Sequence, residues 1–136
     1  NSNITVMAAA VADYSPKTIS SQKIKKSGDE LLVELTKTKD ILQTVGSLKN
    51  DKQFVVGFAL ETENEQENAL KKLRSKNADL IVLNSLKDAT AGFGKDTNKV
   101  TIFDTAGNTY GFEAKSKNAV AKDIVDLIIK KLNEKA

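Results

Sequence analysis

Phe54-Val55-Val56-Gly57-Phe58-Ala59, a charged segment running to Lys76, and then Leu80-Ile81-Val82-Leu83 together form the stretch that decides the fold. Both apolar runs are short and free of charge, which is how a strand buried on both faces reads. The segment between them has helical periodicity over about Glu63 to Lys76. Glu61, Glu63, Glu65 and Glu67 stand at its start and Lys71, Lys72, Arg74 and Lys76 at its end, the polarity a helix dipole favours. Asn77 supplies a left-handed stop. A strand, a helix and a second strand of this kind make a parallel βαβ unit, so the chain is predicted to be α/β.

The same alternation continues outward. Upstream, Asp40 is expected to cap a short helix with Ile41, Leu42, Val45 and Leu48 as its apolar stripe, and Ile4 to Ala9 reads as another buried strand. Between them, residues 22–36 are predicted to form a hairpin arm: Lys26-Ser27-Gly28-Asp29 is turn chemistry, and Leu31, Val33 and Leu35 then alternate on one face. Downstream, a polar loop from Ser85 to Lys99 is longer than a simple connection and reads as functional. A second hairpin, within residues 100–114, is predicted from Val100 to Phe103 and Tyr110 to Ala114 around Ala106-Gly107-Asn108. Ser116 then caps a last helix with Val120, Ile124, Leu127, Ile128 and Leu132 inward.

Composition restricts the chemistry. The 136 residues suffice for one domain, and they contain no cysteine and no histidine. Thiolate nucleophiles, disulfides, the usual zinc sites and a histidine general base are therefore excluded. Lysines, carboxylates, backbone dipoles and Mg2+ remain, an inventory suited to phosphoryl or nucleotidyl transfer. The net charge of +3 is lysine excess, with Arg74 the sole arginine and aromatics at 5%. A charge balance this mild favours anionic small molecules about as much as nucleic acid, but nucleic-acid binding predicts clustered arginine and exposed aromatics, so it is the weaker rival and no nucleic-acid partner is expected. The apolar run Val6 to Ala12 is far short of the roughly 20 residues a membrane helix needs, and no basic leader precedes it, so a cytoplasmic protein without a membrane partner is expected. The chain opens at Asn1-Ser2-Asn3 and enters a strand at once, so a fragment lacking the upstream part of its domain is expected.

Ligands of open parallel sheets sit beyond the carboxyl ends of the strands. There the run Met7-Ala8-Ala9-Ala10-Val11-Ala12 breaks at Asp13-Tyr14-Ser15-Pro16 and leads to Lys23-Ile24-Lys25-Lys26. Alanines let a ligand approach the backbone, a carboxylate suits Mg2+ or a ribose, and lysines suit phosphate oxygens. A core strand followed by a solvated loop explains the same residues. Phe58, Glu61 and Asn84 follow the other strands, and each also has a plain reading as core, helix start or turn. Gly92-Phe93-Gly94 is the only G-x-G, and neither a dinucleotide nor a P-loop fingerprint occurs. A phosphate would instead meet the helix start at Asp40-Ile41, Lys23 from the arm, and Lys72 and Lys76 four apart on one helix face. Lysines at a helix end are also commonly just solvated.

The blocks Met7 to Tyr14, Lys23 to Lys26, Val56-Gly57-Phe58-Ala59-Leu60-Glu61-Thr62, Asp79-Leu80-Ile81-Val82-Leu83-Asn84, and Gly92-Phe93 with Asp96-Thr97-Asn98 occur in the order found in phosphopantothenoylcysteine synthetase, and the chain resembles that family over nearly its whole length. The resemblance implies a Rossmann-like three-layer parallel sheet with an added antiparallel β-hairpin dimerisation arm, hence a homodimer. It implies a ligase of coenzyme A synthesis that joins 4'-phosphopantothenate to cysteine through an acyl-cytidylate, with release of pyrophosphate. CTP, or ATP, would be the co-substrate with Mg2+. A fused flavin-dependent decarboxylase would lie upstream where the parent chain is bifunctional. Carried over by motif, Met7, Ala8, Ala9 and Asp13 contact the nucleotide or its metal, and Lys23 is the active-site lysine of a mobile flap. Lys39, Asp40, Ile41 and Leu42 face the triphosphate, and Phe58, Lys72 and Lys76 complete the pocket. Asp13 is the one candidate metal ligand.

The chain departs from the family at Thr38-Lys39-Asp40-Ile41, where Asn-Pro-Asp-Ile is common, and at Ala59-Leu60-Glu61-Thr62, where Ala-Ala-Glu-Thr is. The family's glycine-rich N-terminal segment, with an asparagine acting on the acyl intermediate, has no counterpart, so the chain alone is expected to be inactive. A noncatalytic nucleotide-binding module is the alternative.

Overall fold

The computed structural model describes residues 2–25, 28–85 and 96–135. In chain order its elements are β1 (Ile4–Met7), β2 (Tyr14–Pro16), β3 (Leu35–Lys37), α1 (Ile41–Leu48), β4 (Phe54–Glu61), α2 (Glu65–Ser75), β5 (Leu80–Ser85), β6 (Thr97–Asn98), β7 (Val100–Asp104), β8 (Thr109–Gly111), β9 (Lys115–Ser116) and α3 (Lys117–Lys135). The central sheet runs β1-β4-β5-β7-β8. β1, β4 and β5 are parallel, with Val6 opposite Val56 and Val56 opposite Leu80. β7 pairs with β5, and β8 with β7, in the antiparallel sense. The sheet is therefore mixed where a parallel one was expected. β7 and β8 are joined by a tight turn through Gly107 at φ +88°, and a connection that short only reverses direction.

Side chains alternate between two cores, which makes the sheet the middle of three layers. Phe54, Val56, Leu80, Val82, Val100 and Ile102 pack under Val120, Ile124, Leu127 and Ile128 of α3. Val55, Ala59, Ile81, Leu83 and Phe103 pack under Ala69 and Leu73 of α2, with Leu42 and Val45 of α1 alongside. Full burial of each such aliphatic or aromatic side chain contributes roughly 1.5–3 kcal/mol.

α1 is rotated from its predicted stripe. Leu48 is 78% and Ile41 43% exposed, and the inward line is Leu42, Val45 and Gly46. At about 100° per residue, a helix that turns position 46 inward carries 41 and 48 to its flank. Gly46 is buried because α1 sits on the end of α2, where a Cβ would meet the Lys76 carbonyl oxygen at 1.8 Å. Asn77 Nδ2 donates to Gly46 O at 2.8 Å across this junction. Asn77 itself ends α2 at φ +49°, while Glu61 belongs to β4 and not to the helix start.

Two further expectations are corrected. β1 ends at Met7, two residues before Ala9, and is an edge strand, with Ile4 41% and Val6 47% exposed, because among the described residues only β4 pairs with it. No hairpin forms within residues 22–36 among the described residues. Leu35–Lys37 instead pairs antiparallel with Tyr14–Pro16, flanked by Thr38 N donating to Asp13 O and Lys17 N donating to Glu34 O, both at 2.9 Å. An isolated two-stranded ribbon is marginal in water, so only the root nearest the sheet forms a ladder. Leu31, Leu32 and Val33 are exposed beyond it. Lys26, Ser27, Gly92-Phe93-Gly94 and most of the 85–99 loop lie outside the described residues.

The opposite end of the sheet is closed by two buried acids. Asp79 accepts from Lys49 and Lys135 at 2.7 Å and from Val55 N at 2.8 Å. Burial acts to raise its carboxyl pKa, but the hydrogen bonds from Lys135, Lys49 and Val55 outweigh it and hold the group below its ordinary value. Asp104 is similarly depressed: burial opposes ionisation, and Lys131, Asn108 and Tyr110 overcome it.

Candidate functional site

Beyond the carboxyl ends of β1, β4 and β5 lies a cleft of about 730 Å3. Met7 to Asp13 form one wall, which follows from β1 ending at Met7 and leaving small side chains along the next turn. The first turn of α1 forms the floor, with Lys39, Asp40, Ile41 and Leu42 on the lining. Phe58 enters from β4, and Lys72 and Lys76 from the last turns of α2. Of the sequence-nominated site residues, two are missing from the cleft lining, Glu61 at the end of β4 and Lys23. Lys23 is exposed, in the irregular segment beyond the ribbon, and is not on the lining.

Asp40 organises the cationic side. Its Oδ1 accepts from Gln43 N at 2.8 Å as the N-cap of α1, and its Oδ2 pairs with Lys76 Nζ at 2.7 Å. The Lys76 hydrogen bond, then that of Gln43, holds the Asp40 carboxyl below its usual range. The N–H groups of Ile41 and Leu42 open the helix and have no intrahelical acceptor. Lys72 reaches Glu61 only at 3.9 Å, so it is the more loosely held of the two lysines. Free N–H groups at a helix start, the dipole's positive end and two ammonium groups from α2 make this side suited to an anion.

The other side of the cleft was only partly nominated. Asn84 at the end of β5, Asn98 of β6 and Lys117 at the start of α3 line it. Asn84 Oδ1 is buried without a hydrogen-bond partner among the described residues. Lys117 and Asn98 come together through β6 pairing with β9, in which Asn98 faces Lys115. Only the Ser116 cap signalled the start of that helix, and its Oγ accepts from Ala119 N at 3.3 Å.

Among the described residues no group of three His, Cys, Asp or Glu is placed to hold a metal ion. Of the two cleft carboxylates, Asp40 is already engaged on both oxygens, whereas Asp13 has no ion pair among the described residues. One carboxylate with phosphate oxygens suits Mg2+, which commonly takes only one or two from protein. No described helix is long and apolar enough to cross a membrane.

The fold is that of an α/β protein with a Rossmann-like sheet and an open cleft at the sheet's carboxyl edge, where ligands of such sheets commonly sit. Residues 1–132 match the family model "DNA/pantothenate metabolism flavoprotein C-terminal domain", and the chain belongs to this family. It is 45% identical over 127 residues to the coenzyme A biosynthesis bifunctional protein CoaBC of Bacillus subtilis, covering 93% of this chain and 31% of that protein. It is 50% identical over 127 residues to a cysteine/cysteine sulfinic acid decarboxylase from an unknown prokaryotic organism, covering 93% of this chain and 35% of that one. The chain thus spans about a third of the length of these curated relatives. A crystal structure of the C-terminal domain of CoaBC aligns with a TM-score of 0.77 at 38% identity, over 98% of this chain and 57% of that one. The chain is homologous to that C-terminal domain, as the sequence blocks indicated. The DNA/pantothenate metabolism flavoprotein of Streptococcus pneumoniae, at 19% identity and a TM-score of 0.66 over 98% of this chain and 64% of that one, shares the fold.

Proposed function

We propose that the chain is the nucleotide-gripping part of a phosphopantothenate-cysteine ligase of coenzyme A synthesis. A carboxylate oxygen of 4'-phosphopantothenate attacks the α-phosphorus of CTP, or of ATP, and pyrophosphate leaves. The cysteine amine then attacks the acyl carbon, the amide forms, and the nucleoside monophosphate departs. One observation carries the reading: the α1 start, Lys72, Lys76, Phe58 and the Met7 to Asp13 backbone share one cleft in a chain homologous to the C-terminal domain of CoaBC.

The Ile41 and Leu42 N–H groups and the two α2 lysines hold the triphosphate, and the alanine wall lets it lie close to the backbone. Asp13 would hold Mg2+, which supplies charge neutralisation at the phosphates. Lys23 stabilises charge building on the phosphorus oxygens once its segment folds over the cleft. A second copy of the chain would cover the exposed Ile19, Ile24, Leu31, Leu32 and Val33 of that arm, making it a dimerisation element in the cytoplasmic enzyme. A flavin belongs to a fused decarboxylase and not to these residues.

Pyrophosphate release by the full-length gene product, given CTP, Mg2+, phosphopantothenate and cysteine, tests the proposal. Lys23→Ala should lower turnover by about 100-fold, and a change within about twofold, less than 1 kcal/mol, refutes that role. Nucleotide binding without pyrophosphate release would favour a noncatalytic module. Amide formation by the 136 residues alone would overturn the expectation that they are inactive.

A further inference from the structure

The wall of the cleft is tied to its floor through one residue. In the β2–β3 ribbon Tyr14 pairs with Lys37, and the ladder continues one rung further, where Thr38 N donates to Asp13 O at 2.9 Å. The return bond from Asp13 N to Thr38 O does not form among the described residues. Instead the Thr38 hydroxyl takes the next carbonyl along, Oγ1 donating to Ala12 O at 2.6 Å. Thr38 is partly buried, whereas Ala12, Asp13, Lys39 and Asp40 around it are exposed. Two residues later Asp40 caps α1, so the anion-suited helix start and the end of the wall hang from the same short segment.

Peptide units are planar, so a carbonyl held in place fixes its whole unit. The Ala12–Asp13 and Asp13–Tyr14 units flank the Asp13 Cα, and Thr38 holds the first through its hydroxyl and the second through its N–H. With both units fixed, φ and ψ of Asp13 are fixed, and with them the direction of its Cα–Cβ bond. Only the staggered side-chain rotamers are left to the carboxylate. Asp13 lines the cleft without an ion pair among the described residues, so no charged neighbour decides where it stands. A shift of roughly 1 Å is enough to spoil a contact of fixed geometry. We propose that Thr38 is the positioning residue of the Asp13 carboxylate: by holding Ala12 O, its hydroxyl keeps that carboxylate on the cleft, in register with the α1 start. The backbone rung survives any replacement but proline, so the hydroxyl is the part that the choice of threonine supplies. The inference rests on the nucleotide reading above, in which Asp13 meets the metal–nucleotide complex, and adds to it the residue that sets its place.

Calorimetric titration of the full-length gene product with CTP and Mg2+, or with ATP and Mg2+ if CTP does not bind, tests it. Thr38→Val keeps the branched shape and the backbone rung but loses the hydroxyl bond, and should weaken binding about fivefold. Thr38→Ser keeps the donor and should bind within about twofold of the parent. Asp13→Ala should weaken binding about tenfold or more. Because Thr38 acts through Asp13, Thr38→Val placed on Asp13→Ala should add less than about twofold. Ala12 is exposed and water replaces the lost donor, so Thr38→Val should unfold within about 4 °C of the parent. Should Thr38→Val fail to fold, Thr38→Ala takes its place in the cycle. The same loss repeated in full on Asp13→Ala would overturn the proposal, since Thr38 would then act on the cleft as a whole. Equal weakening by Thr38→Ser and Thr38→Val would overturn it too, as would unchanged binding by Thr38→Val or by Asp13→Ala, and each of these results leaves the nucleotide reading intact. No binding of either nucleotide by the parent would refute the nucleotide reading and this inference with it.

Discussion

Replacing Gly46 by alanine sets two effects of opposite sign against each other. Helix propensity alone favours alanine over an interior glycine by about 1 kcal/mol. The junction with α2 opposes it, since the new Cβ would stand 1.8 Å from Lys76 O, 3.0 Å from Lys76 C and 3.3 Å from Asn77 O. All three are backbone atoms, so no side chain can swing away, and α1 must retreat by roughly 1 Å or more to restore ordinary contact. Overpacking of this kind costs about 1–3 kcal/mol, and stretching the Asn77 Nδ2 to Gly46 O bond adds about 1 kcal/mol. Contact should win by about 2 kcal/mol, lowering the Tm by about 8 °C in a domain of this size. The same retreat draws Asp40 away from Lys76, so nucleotide affinity should fall as well. Thermal unfolding followed by circular dichroism, with CTP titration by calorimetry, reads both effects. Gly111→Ala, with nothing within 4 Å of the added atom, is the control and should stay within about 0.5 kcal/mol. A Gly46→Ala protein as stable as the parent would show that the α1–α2 contact yields, and the reasoning would fail.

Other expectations concern charge. Asp79→Asn should cost about 3 kcal/mol, because it breaks a buried carboxylate's pairing with Lys49 and Lys135 and leaves both ammonium groups uncompensated; urea unfolding measures it. The depressed Asp79 pKa stabilises the fold above the unfolded value near 3.8, and that stability is lost as the pH falls from there through the lower folded value. Tm against pH should therefore drop steeply below about pH 4, and less steeply in Asp79→Asn. Lys76→Ala should weaken CTP binding about tenfold or more, since it removes a cation and leaves Asp40 unneutralised; adding Asp40→Asn, which keeps a cap, should recover part of the loss at low salt. No recovery would mean that Asp40 does not face the phosphates.

The central strands were legible because burial on both faces leaves an uninterrupted apolar run, as at Val55-Val56 and Ile81-Val82. The carboxyl-edge rule pointed to Asp13, Phe58 and Asn84, which line the cleft, and to Glu61, which does not, while the need for a phosphate site without a glycine-rich fingerprint pointed to Asp40 and the α2 lysines. What escaped depended on partners distant in sequence. Pairing of Tyr14–Pro16 with Leu35–Lys37 spans about twenty residues with no local marker, whereas alternation at Leu31, Val33 and Leu35 is local and suggested a hairpin that does not form. The rotation of α1 was hidden because an apolar stripe does not show that a glycine must face a neighbouring backbone. Asp79 and Asp104 resemble ordinary turn acids until the distant Lys49, Lys131 and Lys135 arrive. Lys117 and Asn98 reach the cleft only because β6 meets β9, which no periodicity reveals.

The half-exposed β1 edge has a practical consequence. Its outer row of backbone donors and acceptors has no neighbour among the described residues, and Ile4 and Val6 present apolar surface beside it. Such an edge is a template for strand addition by any extended chain of suitable register. Preparations of the 136 residues should self-associate as concentration rises, and a lysine in place of Val6 should keep them dispersed in light scattering.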